Sequence, residues 1–134
     1  MQFSTVNFLA VVIGTFANFL FGFLWYAPTV FGKAWQKHTG LTNDQIKRGS
    51  VVMRFGPAIV LTFIMGLVLA AYLPMDLNWE IGAFGGLIMG AGVGATSLGM
   101  HYLFAKRSIH LYLIDAGYLV ISMTIFGAII AAMS

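Results

Sequence analysis

Cysteine is absent from this chain of 134 residues, which excludes disulfides, thiol nucleophiles and thiolate metal sites. Charge is nearly as scarce. Asp, Glu, Lys and Arg make up 8% of the residues, against about 25% in a soluble domain. The histidines, His38, His101 and His110, fall in different segments. No HExxH pair or acidic loop accompanies them, so no metal site and no cofactor are expected. The opening residues, MQFSTVNFLAVVIGTF, lack the cationic start of a secretory leader and stay apolar for longer than a leader core. The first segment is therefore expected to remain in the mature chain. No lipidation box is present.

What the chain does have is apolar length, with 60% hydrophobic residues and a mean hydropathy of +0.90. Four stretches, residues 5–27, 51–72, 79–105 and 109–133, suit helices crossing a bilayer core of ~30 Å. The expected fold is all-α: an integral membrane four-helix bundle in one domain over residues 1–134, built as two hairpins with a short cytoplasmic interfacial helix in the loop 32–50. In that loop Thr42-Asn43-Asp44-Gln45 fits a capping box. Asp44 sits in the first turn, Lys47 and Arg48 in the last, and Gly49 follows as a stop. Leu41 and Ile46 are expected to dip toward lipid. Pro28 should end or kink the first span and leave the Leu24 carbonyl free.

The net charge of +3 and pI near 9.5 do not point to nucleic acid, because the seven Lys and Arg sit in two loops only. Lys33, Lys37, Lys47 and Arg48, with Arg54 adjoining, hold one loop; Lys106 and Arg107 hold the other; residues 73–78 hold none. With four spans both basic loops share one side. The positive-inside rule makes that side cytoplasmic and both termini external.

Within the spans, small residues recur where helices can touch: Gly14, Asn18 and Gly22 in the first span, and Gly82, Gly86, Gly90 and Gly94 as a stripe along the third. Asn18 is either a packing residue or part of a pathway. Trp25, Tyr26, Phe31 and Trp35 make either an interfacial aromatic belt or an aromatic-lined mouth for a ligand. Arg54 either snorkels to the headgroups or reaches inward to Asp115. Tyr112, Asp115, Tyr118 and Ser122 form one polar stripe on the fourth span. His101 and Asp115 each lie seven residues from Ser108, about 10 Å in from the turn at ~1.5 Å per residue. Two ionisable groups at one depth should both face protein or water, which makes them site candidates.

GFLWYAPTVFGKAWQKH (residues 22–38), Met53-Arg54-Phe55-Gly56-Pro57 and LIDAGYLVISMTIFGAIIA (residues 113–131) together resemble a bacterial family of small membrane proteins known as domain of unknown function 1761. The resemblance covers most of the chain. It implies a four-span protein of the bacterial inner membrane and supplies no activity, so no catalytic residue is carried over.

Three functions are open to such a sequence. One is a transport-like or channel-like role through a polar cavity near the cytoplasmic side, with Asn18, Trp25, Tyr26, Arg54, His101, Asp115, Tyr118 and Ser122 as its candidates. A His–Asp pair there could exchange protons near neutrality, or could only fix the hairpin register. A second is an accessory protein that docks a further copy or a larger membrane complex through the glycine-rich third helix. A third is an enzyme using Ser97, His101 and Asp115 as nucleophile, base and orienting acid; Ala95-Thr96-Ser97-Leu98-Gly99 is no nucleophile elbow, so this signal is weak.

Overall fold

The structure, a computed structural model, describes residues 6–47, 51–74 and 76–134, with Val51 through its backbone alone. Arg48, the stop expected at Gly49 and residue 5 of the first expected span lie outside the described residues. The fold is all-α. In chain order it comprises α1 (Phe8–Trp25), α2 (Gly32–Thr39), α3 (Asn43–Lys47), α4 (Val51–Tyr72), α5 (Trp79–Met89), a π-helical segment (Gly90–Ala95), α6 (Thr96–Phe104) and α7 (Ile109–Ala132). Four stretches are long and apolar enough to cross a membrane: α1, α4, the continuous run Trp79–Phe104, and α7.

The helix ends follow from local chemistry. Asn7 starts α1 by accepting from the Ala10 N–H at 3.2 Å. Pro28 closes it, as its missing N–H requires. The Leu24 carbonyl is not left free, however, because the Ala27 N–H tightens onto it at 3.3 Å. The N–H groups of Val30 and Gly32 then both reach the Ala27 carbonyl at 2.9 Å. A side chain at Gly32 would run into the Tyr26 carbonyl, so this turn needs glycine.

The polar loop holds two short helices where one was expected. The additional one, α2, ends at Gly40 in the left-handed region with φ 75°. The capping box at α3 forms in both directions: Gln45 N–H to the Thr42 hydroxyl at 3.1 Å, and Thr42 N–H to Gln45 Oε1 at 2.8 Å. Asn78 occupies the N-cap of α5 without a side-chain bond. α6 closes with Lys106 left-handed at φ 56°; the Arg107 N–H reaches the Tyr102 carbonyl at 2.9 Å and the Lys106 N–H reaches Leu103 at 3.2 Å. This is the paired closure of a Schellman turn. Ser108 then caps α7 by accepting from the Leu111 N–H at 3.2 Å.

Helix α7 is the hub, packed against α5 and the π segment on one side and α1 on another, while α4 lies mainly on α1. Lipid tails are as apolar as leucine, so association here rests on close packing and hydrogen bonds rather than on expelling water. The glycine ladder supplies that closeness. A Cβ at Gly82 would strike the backbone of Gly127, and one at Gly86 the Met123 carbonyl. At Gly90 it would sit 3.1 Å from Val120 Cα, and at Gly94 2.7 Å from the Leu119 side chain. The stripe is thus filled by α7 of the same chain. The ladder packs helices within the chain, rather than against a further copy. Gly14 and Gly66 leave the gap that holds the Phe126 ring, which is 0% exposed. Gly22 faces Tyr118.

Candidate functional site

The polar stripe of α7 ties the bundle together from the basic end inward. Tyr112 donates to the Ala95 carbonyl in the third span at 2.8 Å, and Tyr118 donates to the Asn18 carbonyl in α1 at 3.1 Å. Between them Asp115, half-buried, accepts from the Tyr26 hydroxyl on Oδ1 at 2.6 Å and from the Tyr102 hydroxyl on Oδ2. Trp25 fixes the end of α1 by donating from Nε1 to the Ile114 carbonyl at 3.0 Å. Tyr26 lies just past α1; burial first, and then its bond to Asp115, raise its phenol above the ordinary value, so it stays a donor.

Asp115 and Tyr26 border a cavity of about 520 Å³ that α2 and α3 complete with Trp35, Gln36, Asn43 and Ile46, and Lys33 also lines it. Gln36 donates to Asn43 Oδ1 at 3.0 Å, holding the two short helices to each other. The Trp35 and Tyr26 rings meet at 77°, with centroids 6.1 Å apart. A second groove of about 300 Å³, between α1 and α4, is lined by Phe19, Phe23, Phe55, Tyr118 and again Tyr26.

The eight cavity candidates therefore separate. Tyr26 and Asp115 line the larger cavity, and Tyr118 joins Tyr26 in the second groove. Asn18, 1% exposed, spends its amide on the Gly14 carbonyl of its own helix at 2.7 Å. Ser122, equally buried, donates to Leu119 at 3.0 Å. Arg54 is exposed and donates to the Ile46 carbonyl at the end of α3, so it snorkels rather than pairing with Asp115. Trp25 packs its ring on Phe31 and Phe21.

His101 departs furthest from expectation: it is exposed and makes no bond to Asp115. Its neighbour in sequence, Tyr102, takes that place. The π segment is the cause. Seven residues after Gly94, an unbroken α-helix would return His101 to the face turned to α7, at ~100° per residue. A π turn absorbs one extra residue, which advances the facing set by one, to Ala95, Gly99 and Tyr102. Carbonyls around the segment are claimed by side chains, with Thr96 Oγ1 reaching Gly92 at 2.7 Å and Val93 at 3.1 Å. The same rotation leaves Ser97 exposed, and it bonds neither His101 nor Asp115. The expected nucleophile, base and acid are not assembled.

Sequence reasoning passed over Tyr102 because nothing in local composition announces a π turn beyond the density of glycine at 90, 92 and 94. It named Trp35 only as one of four aromatic residues at a belt or mouth. It also treated His38 and His110 as unrelated. In the fold their rings stack, with centroids 4.9 Å apart and planes 4° from parallel, and His38 Nδ1 lies 3.3 Å from Ser108 Oγ. That contact seats α2 on the start of α7.

Four apolar spans, with α7 at the hub, make this a small polytopic membrane protein. The chain belongs to the DUF1761 family, described as a protein of unknown function, whose model matches residues 9–131. No curated protein and no solved structure matches the chain.

Proposed function

We propose that this is a small transport-like membrane protein in which Asp115 takes up and releases a proton or another cation at the floor of the larger cavity, with the basic end in the cytoplasm. One observation carries the reading. Asp115 lies seven residues, about 10 Å, beyond the α7 cap, and among the described residues no Lys, Arg or His pairs with it; two neutral phenols do. Ionisable groups at such depth normally pair with one another or mark a pathway. Phenols satisfy hydrogen bonding but bring no positive charge, so among the described residues the carboxylate has no bonded counter-charge and is open to a cation from outside.

Reconstitution into liposomes under an imposed pH gradient and membrane potential, read by an internal pH dye and by a panel of cations, tests this. Asp115→Asn keeps the shape and removes the charge, and should lower flux at least tenfold, while Asp76→Asn in the opposite loop should leave it unchanged. Equal flux in the wild type and Asp115→Asn overturns the reading.

A further inference from the structure

We infer that the cavity at Asp115 binds lipophilic organic cations, which reach it from the bilayer past the Tyr26 ring. This rests on the cation-handling role proposed for Asp115 and names the class of cation.

Four features converge on that class. First, the carboxylate has room for a ligand: two oxygens offer about four acceptor positions, and the phenols of Tyr26 and Tyr102 occupy one on each oxygen. Second, the cavity wall beside it is aromatic. Trp35 and Tyr26 meet at 77° and so form a corner rather than a closed stack; a cation within about 6 Å of such rings is held by their quadrupoles, most strongly by tryptophan. Third, the space of about 520 Å³ falls in the range of small-molecule sites, roughly 300–1,000 Å³. A proton or bare metal ion needs no such volume. Fourth, Tyr26 belongs to both cavities, so its ring is the partition between the carboxylate and the aromatic groove of α1 and α4. That groove faces outward, since its Phe23 is 61% exposed, and in a bilayer outward means lipid. A strongly hydrated ion gains nothing from a wall of phenylalanine, whereas an onium ion with an apolar body can occupy the groove and then exchange lipid for the Asp115 charge. Lys33 at the cavity edge is exposed, so its ammonium can turn to water and leave the floor to the ligand.

The test is equilibrium binding of radiolabelled tetraphenylphosphonium to the whole chain in phosphatidylcholine nanodiscs, with tetraphenylborate, of like shape and opposite charge, as the control. The expected result is saturable binding of the cation and none of the anion. Binding should be at least tenfold weaker in Asp115→Asn and in Trp35→Ala, and restored in Asp115→Glu. Because Trp35 stands on α2 outside the spans, Trp35→Ala decides the matter even where Asp115→Asn fails to fold. Equal uptake of both ions, which is lipid partitioning, overturns the inference, as does cation binding indifferent to Trp35. Absence of binding beside an Asp115-dependent proton flux overturns this inference alone and leaves the proposed function standing. Asp115-dependent binding without any flux overturns the transport reading and keeps the binding site.

Discussion

At Asp115 two opposing quantities are of similar size. A charged side chain deep in a bilayer costs about 2.5–3.5 kcal/mol on insertion scales, and a hydrogen bond to a charged group returns about 1.5–3 kcal/mol. Two phenols together return about 3–6 kcal/mol, enough to offset a cost that is greatest at the bilayer centre, without the ion pair that would fix the carboxylate permanently. Glycines govern the other residue-scale balance, since each forgoes a side chain so that two backbones can meet. Gly86 and Gly92 stand six residues apart in one span, yet a Cβ at Gly86 would enter the Met123 carbonyl, whereas at Gly92 it would meet nothing within 4 Å. Gly86→Ala should accordingly destabilise the fold by about 2–3 kcal/mol, the upper range for overpacking. Gly92→Ala should stay within about 1 kcal/mol, the scale of the helix-propensity difference. Reversible unfolding in mixed micelles measures both, and equal effects would show that the third span does not pack on α7 through the ladder. The ladder itself could be picked out of the sequence, because small residues every fourth position mark a contact face whatever the partner. Which helix filled it could not, because spacing carries no information about the other side of a contact.

One element decides which residue meets Asp115. Up to Gly94 the α-period places every contact, and beyond the π segment it fails by one residue, putting Tyr102 where His101 was expected. A six-residue departure in hydrogen-bond pattern is invisible to a periodicity argument that assumes 3.6 residues per turn throughout. By contrast, Pro28 and the Thr42–Gln45 box acted where they stood, since a missing N–H or a capping hydroxyl works over one turn. The register can be tested by cross-linking, with and without the extra residue. With no native cysteine, paired cysteines report cleanly. A short bis-thiol reagent should bridge Tyr102→Cys to Asp115→Cys and leave His101→Cys with Asp115→Cys unlinked. Deleting Gly92 removes the residue that the π turn absorbs and should leave both results unchanged, because an unbroken α-helix then carries Tyr102 to the same face. Bridging of the His101 pair in the undeleted chain would refute the π-shifted register.

For the molecule as a whole, charge and chain length sort the ends before any contact is known. The fold agrees: α2 is seated on the start of α7 through His38 and His110, so the basic loop and the basic turn share one end. Asn7 donates to the Met133 carbonyl at 3.0 Å, which places the beginning of α1 and the end of α7 together at the other. This parity was legible in the sequence because it depends only on counting spans and locating cations; the central place of α7 was not, since it arises from contacts between residues far apart in the chain, from Gly90 with Val120 to Asn18 with Tyr118. Which end faces the cytoplasm follows from the positive-inside bias, to which each cation near a span end contributes. Lys33, Lys37, Lys47, Arg54, Lys106 and Arg107 all lie toward the same end, and the loop between α4 and α5 has none. A C-terminal alkaline phosphatase fusion should therefore be active and a C-terminal green fluorescent protein fusion dark, while a fluorescent insertion after Gly40, in the exposed turn between α2 and α3, should be bright. The reverse pattern would invert the protein in the membrane, turn the Asp115 cavity to the outside, and require any cation it takes from water to be captured there.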